Sequence, residues 1–279
     1  MLFDGVEKQA CCPLVHANFE GKTMRIEFED QEILVIYKEA GLPVQTGRTS
    51  QKDVVSLLKN HLAKAGVEEK SKAEAGERSK YGQAAAPSEP YLGIVHRLDQ
   101  PVEGLLVFAK TPKSAAALSV QAASKDKMEK VYQAIVCLSS SSYSLAVEGM
   151  KKKVTLSDWL GRDTVTNTAY IASEEEKGAK RAELEFRTLW IRDGYALLEI
   201  RLHTGRHHQI RIQMANAGMP IFGDRKYSAM AGVYPEETEE GKNVPLCLCA
   251  WSLSFQHPVT GEKMKFMVEP AFSKKFLTT

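Results

Sequence analysis

Apolar positions along this chain recur mostly at the two-residue period of strands, with a few helical stretches between them. Met24-Arg25-Ile26-Glu27-Phe28 alternates and Ile33-Leu34-Val35-Ile36-Tyr37 is a near-continuous apolar run, so two strands are expected before Gly41-Leu42-Pro43. Asp53 then caps a helix carrying Val54, Leu57, Leu58 and Leu62, with Gly66 as its stop. From 67 to 90 the chain is charged, rich in Ala and Gly and poor in large apolar residues, the composition of a flexible loop. Two further apolar runs, Ile94-Val95 and Leu105 to Ala109, flank a short loop closed by Pro101 and Gly104. Thr111-Pro112 opens a helix in cap-then-Pro order through Ala115, Leu118 and Val120, and Lys130 to Val136 alternates as a strand.

The second half continues in the same manner. Trp159 to Asp163 and Asn167 to Tyr170 punctuate a section that reads as rich in loops, and Glu174 to Gly178 is an exposed turn. Strands are expected over 182–190 and 195–202, joined at Arg192-Asp193-Gly194, because Asp-Gly between alternating runs signals a hairpin. The second strand leads into Thr204-Gly205-Arg206, and 207–217 reads as a helix stopped by Gly218. There His207, His208 and Arg211 share a polar face, while Ile210, Met214 and Ala217 take the buried one. Leu246 to Phe255 is a long strand, and His257 to Gly261 turns into a last strand over 263–268. No internal repeat is present. Strands in hairpins with a few packed helices predict an α+β fold on a mixed, mostly antiparallel sheet.

Composition narrows the class without naming a function. A chain of 279 residues with 43% hydrophobic content can bury a full core, and no window approaches the ~18 apolar residues of a membrane span. Residues 1–22 carry Asp4 and Glu7 and no apolar run of signal-peptide length, so a soluble, cytoplasmic protein is expected. Cys11, Cys12, Cys137, Cys247 and Cys249 lack paired metal-site spacing; Cys247 and Cys249 fit burial on a strand better than zinc. The net charge of +2 does not announce a nucleic-acid binder, so any basic surface must be local. The candidate clusters are Lys151-Lys152-Lys153, Lys125 with Lys127 and Lys130, Arg206 with Arg211, and Arg225-Lys226.

The chemistry concentrates in His96-Arg97-Leu98-Asp99. Apolar strands on both sides pin this loop to a sheet, which is how a rigid scaffold presents a reactive acid. The bland alternative is a surface turn in which Arg97 and Asp99 pair. His96-Arg97-Leu98-Asp99, Gly104 to Thr111, Thr204-Gly205-Arg206-His207-His208-Gln209-Ile210-Arg211 and Pro220-Ile221-Phe222-Gly223-Asp224, in that order, resemble the signature motifs of the ribosomal large-subunit type of pseudouridine synthases. The resemblance runs from about Glu32 to Val268.

What the resemblance implies is specific. The fold would be one catalytic domain over 24–279 behind an N-terminal extension, 1–23, with a long bent sheet and the cleft at its middle. With no room before Glu32 for a separate small RNA-binding domain, the protein would bind a ribosomal or transfer RNA uridine through this domain alone, as a monomer. Isomerisation breaks the N1–C1′ bond, turns the uracil, rejoins it through C5 and removes the C5 proton, with no need for a cofactor or metal. Asp99 is the carboxylate suited to attack C1′, stabilise charge there or take a proton. Arg211 matches the arginine that partners the acid and would keep it ionised against desolvation, with Arg206 as the other candidate. Tyr132, in Lys130-Val131-Tyr132-Gln133-Ala134, would sit against the uracil, although chemistry alone reads it as a core or rim aromatic. Arg97 would fill the stack vacated by a flipped base, Ile210 would wall the base, and Arg206, Arg225 and Lys226 would hold phosphates.

The chain departs from the family pattern at three places. Val102-Glu103-Gly104 replaces a hydroxyl-bearing run, and Glu103 is expected to face solvent, because an inward acid would oppose RNA phosphate. His207, and Gln213-Met214, are the other departures. Two competing functions are a non-catalytic RNA-binding or ribosome-assembly protein on this fold, and a glycosidic-bond hydrolase. The second would need another carboxylate as general acid, and only Glu103 lies near in sequence.

Overall fold

The structure is a computed structural model in which residues 15–19, 22–47, 51–74, 89–124, 127–231 and 244–277 are described. The chain order is β1 (Val15–Phe19), β2 (Lys22–Glu29), β3 (Ile33–Lys38), α1 (Val54–Glu74), β4 (Gly93–Ile94), β5 (Glu103–Ala109), α2 (Pro112–Ala123), β6 (Glu129–Cys137) and α3 (Tyr143–Lys151). It continues with β7 (Val154–Asp163), β8 (Thr168–Ala172), β9 (Lys180–Arg192), β10 (Tyr195–Leu202), α4 (Gln209–Asn216), β11 (Leu248–Gln256), β12 (Lys263–Met267) and α5 (Ser273–Leu277). The twelve strands form one sheet in the order β1-β2-β3-β5-β11-β6-β10-β9-β7-β8, with β12 paired to β11 and β4 to β5. Of the pairings among these strands, only β5–β11 is parallel. The fold is α+β on a mostly antiparallel sheet.

The apolar pattern explains which strands lie at the centre. Leu34, Ile36, Leu106 and Phe108 cluster with Val54, Leu57 and Leu58 of α1. Ile33, Val35, Leu105 and Val107 cluster instead with Leu118 of α2. β3 and β5 are therefore covered on both faces, which is why they read as continuous apolar runs. The caps act as the sequence implies. Asp53 Oδ1 accepts the Ser56 amide at 2.7 Å, and Thr111 Oγ1 accepts that of Ser114 at 3.2 Å. Asp193 and Gly194 both take positive φ, 51° and 78°, as a two-residue hairpin turn demands.

The structure departs from the sequence reading in several elements. α1 runs through Gly66 to Glu74. A helical glycine costs only about 1 kcal/mol, and Ala63-Lys64-Ala65 before it and Glu68-Glu69-Lys70 after it are good helix formers. Residues 67–74, expected in a loop, are therefore helical, and 75–88 lie outside the described residues. The section expected as loops over 159–170 is the β7–β8 hairpin, with β7 also paired along β9. Pairing on both sides overrides its weak local preference. β1, α3 and α5 were not anticipated; β1 lies inside the stretch read as an extension.

Sheet order positions the site. β5, β11, β6 and β10 are consecutive, so the loop entering β5, the side chains of β6 and the segment leaving β10 meet at mid-sheet. Gly104 lets β5 lie tightly against β11: its φ is +129°, and a Cβ there would lie 2.5 Å from the nitrogen and oxygen of Ala250 on β11.

Candidate active site

The Asp99 loop is tied down from below. Lys38, fully buried at the end of β3, donates from Nζ to the carbonyls of Glu39 at 3.0 Å, Leu42 at 2.9 Å and Gln100 at 3.2 Å. The Gly41 amide donates to the same Gln100 carbonyl at 2.7 Å, and Val102 N–H closes the turn on Asp99 O at 3.0 Å. Leu98 anchors in the core, so the next side chain, Asp99, projects into the cleft with 28% of its surface open. Arg97 is exposed and makes no hydrogen bond or ion pair among the described residues. It does not pair with Asp99, which removes the simple surface-turn reading.

Two side chains flank the Asp99 carboxylate. Arg211 Nη1 stands 3.7 Å and His208 Nε2 3.6 Å from Asp99 Oδ2. Arg211 is held in a fork by buried Asp224, with Nε to Oδ2 at 2.7 Å and Nη2 to Oδ1 at 2.8 Å. Asp224 Oδ1 also accepts the backbone amides of Lys226 at 2.9 Å and Tyr227 at 3.3 Å. His208 precedes α4 in a left-handed conformation, φ 50°, with its side chain buried. The helix behind it, Gln209 to Ala215, is buried all round, so the polar face expected on it does not exist; the histidines stand before the helix instead.

Electrostatics set the protonation states. Burial raises the Asp99 carboxyl above the ordinary aspartate range, and Arg211, then His207 and Lys38, pull it part of the way back. Burial lowers His208 to about 3, helped by the adjacent Arg211, so the imidazole is neutral at physiological pH. Tyr132 on β6 is buried, and burial followed by the Asp99 charge keeps its phenol protonated. The cleft thus offers one ionisable acid, a fixed cation, a neutral imidazole and a neutral phenol.

The residues singled out by sequence converge. Asp99, Tyr132 and Arg211 line one cleft of about 1370 Å³. Arg97, Arg206, Ile210, Arg225 and Lys226 line it too. Of the other basic clusters, Lys130 lines the cleft, whereas Lys152 and Lys153 pair with Glu148 and Glu185 away from it; Lys125 lies outside the described residues. The sequence reading missed Arg162 and Asn167, which the β7–β8 hairpin brings to the cleft, where Lys226 Nζ donates to the Asn167 carbonyl at 3.0 Å. It also missed Lys38, Asp224 and Tyr227 as supports; Gly223-Asp224 stood in a quoted motif, but its partner was not legible.

Glu103 corrects one expectation. It is 4% exposed, not solvent-facing: its carboxylate accepts Tyr37 O–H at 2.6 Å and the Ala271 amide at 2.9 Å. It lies outside the cleft lining on a strand covered on both faces, and two donors offset its desolvation. Fixed in that way, it is no general acid for a hydrolase. Burial raises its pKa, so folding favours the protonated form, and that contribution to stability is lost as pH rises through the folded pKa. Glu103→Gln, which mimics the protonated acid, is expected to leave the melting temperature unchanged near pH ~4 and raise it at pH ~8. Thermal unfolding at both pH values checks this.

Asp99, His207 and His208 each offer a ligand atom within 4.8 Å of the others. The arrangement suits a metal poorly. The two imidazoles stack at 3.8 Å and 22°, so their lone pairs run side by side rather than converge. A cation would also share Asp99 Oδ2 with the Arg211 guanidinium.

Comparison with known proteins adds an independent line. A family model described as RNA pseudouridylate synthase matches residues 32–216. An uncharacterized RNA pseudouridine synthase of Aquifex aeolicus (strain VF5) is 30% identical over 256 residues, covering 90% of this chain and 70% of the relative. Ribosomal large subunit pseudouridine synthase D of Zymomonas mobilis is 30% identical over 247 residues, covering 88% of this chain and 69% of the relative. Among solved structures, human RNA pseudouridylate synthase domain containing 4 superposes with a TM-score of 0.60 at 21% identity, covering 88% of each chain. This last likeness speaks for the fold alone.

Proposed function

The chain belongs to the RNA pseudouridylate synthase family, isomerases that act on RNA, and from that premise we propose that Asp99 is the carboxylate through which it converts uridine to pseudouridine. The observation that carries this reading is the framing of Asp99 at mid-sheet. It is an acid projecting from a braced loop into a large cleft, with a guanidinium 3.7 Å away that is itself held by a buried carboxylate. Arg211 opposes desolvation of the ionised form without capping both oxygens, so the carboxylate keeps a free face for the ribose.

The remaining lining fits the steps. The target nucleotide leaves its stack and enters the cleft, at a cost of a few kcal/mol. Arg97, an exposed part of the cleft lining with no ion pair among the described residues, is placed to occupy the gap. Ile210 and Tyr132 wall the base while the N1–C1′ bond breaks and the uracil turns. C5 then bonds to C1′, the C5 proton departs and N1 gains one, so atoms and charge balance without a redox partner. Arg206, Arg225 and Lys226 position the backbone. Arg97→Ala is expected to lower kcat/KM on a folded RNA by roughly tenfold and by much less on a short unstructured oligonucleotide containing the same uridine. Equal losses on both would remove the stack-filling role.

We propose ribosomal RNA, with transfer RNA as the other candidate, as the substrate, because several relatives at about this identity are large-subunit ribosomal enzymes. The test is pseudouridine mapping of both RNA classes from cells with the gene intact, deleted, and restored as Asp99→Asn. A site lost on deletion and not restored by Asp99→Asn supports the reading and names the substrate. A site restored by Asp99→Asn overturns the role of Asp99. A catalytic domain over 24–279 acting as a monomer in the cytoplasm completes the proposal.

A further inference from the structure

The hydroxyl of Tyr227 is the node on which both neighbours of the Asp99 carboxylate are set. Tyr227 is 2% exposed and follows Asp224 by three residues. Its Oη accepts the Ala169 amide of β8 at 2.8 Å and lies 2.7 Å from His208 Nδ1. Its ring carries the Arg211 guanidinium at 5.2 Å from the centroid. Oη already accepts the Ala169 N–H, and among the described residues Nδ1 is the one acceptor within hydrogen-bond distance of its proton, which favours O–H donation to Nδ1. A neutral imidazole that accepts at Nδ1 must carry its proton on Nε2, and Nε2 is the atom 3.6 Å from Asp99 Oδ2.

We propose that Tyr227 is a positioning residue that fixes His208 as the neutral, Nε2-protonated tautomer, so that His208 presents an N–H to the Asp99 carboxylate or to substrate oxygen bound beside it. Backbone geometry supports the assignment. His208 adopts φ 50°, a region that few residues other than glycine occupy, yet it is buried rather than left at a flexible turn. Strain held in place by surrounding structure marks a side chain that has to point one way. The groups facing the imidazole are named from every side: Asp99 from the β4–β5 loop, Arg211 from α4, stacked His207, Arg162 from β7, Lys226 and Tyr227. The cations among them, with burial, keep His208 unprotonated, so its tautomer rather than its charge is what Tyr227 governs.

The inference rests on Asp99 being the reacting carboxylate, and its test has readouts that do not. Long-range nitrogen–proton NMR of the histidines should show His208 in the wild type as a single tautomer with Nδ1 unprotonated. In Tyr227→Phe, which keeps the ring under Arg211, the tautomers should mix. On an RNA substrate, kcat should fall at least about tenfold with KM changed less than about twofold. A His208 tautomer unchanged in Tyr227→Phe, with kcat within about twofold of wild type, would overturn it.

A second pair of variants separates positioning from mere structure, should Tyr227→Phe fold poorly. An amide at Gln reaches the place of Nε2–H, whereas Asn reaches only that of Nδ1 and tolerates left-handed φ better. His208→Gln should therefore be the less stable and the more active of the two. The same order for both properties, with Asn ahead, would mean that His208 serves the backbone only. If instead Asp99→Asn retains activity while Tyr227→Phe shifts the tautomer, the reading of Asp99 fails and the positioning result stands.

Discussion

Purified Asp99→Asn is expected to bind substrate RNA within about threefold of wild type while its isomerisation rate falls by at least about 10⁴-fold. The asymmetry follows from where the two functions lie. On the proposed assignment affinity would rest on cations lining the cleft, Arg206, Arg225 and Lys226 among them, and these are untouched. Turnover, on the same assignment, would rest on an ionised oxygen that an amide cannot supply, and removal of such a group is among the largest single losses in enzymes. Stability should move the other way. Burial raises the Asp99 pKa despite Arg211, so the charged form is disfavoured in the fold, and the amide should unfold at an equal or higher temperature at neutral pH. Turnover measured by tritium release from C5, filter binding and thermal unfolding check the three parts. Appreciable turnover by Asp99→Asn would sink the assignment.

The second large effect lies one shell further out. Asp224→Asn removes the counter-charge of an arginine that is 5% exposed, and breaking a buried pair on one side costs roughly 3–5 kcal/mol. Its kinetic signature is opposite in sense to that of simple loosening. Arg211, released from a fork at 2.7 and 2.8 Å, has one remaining anion within reach, Asp99 at 3.7 Å, and is expected to close on it. Asp99 would then ionise at lower pH, so the acid limb of kcat should move down while kcat itself falls, the free face of the carboxylate being covered. A lower kcat with the acid limb unmoved or raised would show that Arg211 does not swing inward.

Much of this site was legible from residue types in order. The acid between two apolar runs, the tyrosine on an alternating strand and the arginine past a Gly-Arg turn could be named because each sits in a short local pattern. Their convergence was not local. Lys38 reads as the polar end of a strand, and only the fold shows its ammonium buried under three carbonyls. Tyr227 lies 58 residues from the amide it accepts and 19 from the imidazole it orients, separations at which no sequence period operates. Glu103 misled for the reverse reason. A charge at the edge of an apolar strand is usually solvated, and the two donors that bury it come from β3 and from a turn near Ala271. The β7–β8 hairpin was missed because β7 carries Gly161 and Asp158, and its pairing with both β8 and β9 outweighs that weak local signal.

The place of β11 in the sheet has a consequence for synthesis of the protein. Leu248–Gln256 lies between β5, whose entry loop bears Asp99, and β6, which bears Tyr132, although those two strands are near neighbours in sequence. During translation the chain up to Leu202 can form its hairpins, yet the two halves of the cleft lack the strand that lies between them until residues near 256 have emerged from the ribosome. A nascent chain on a polysome is therefore expected to leave the RNA around it unmodified. Modifying capacity should arrive late and abruptly, with β11.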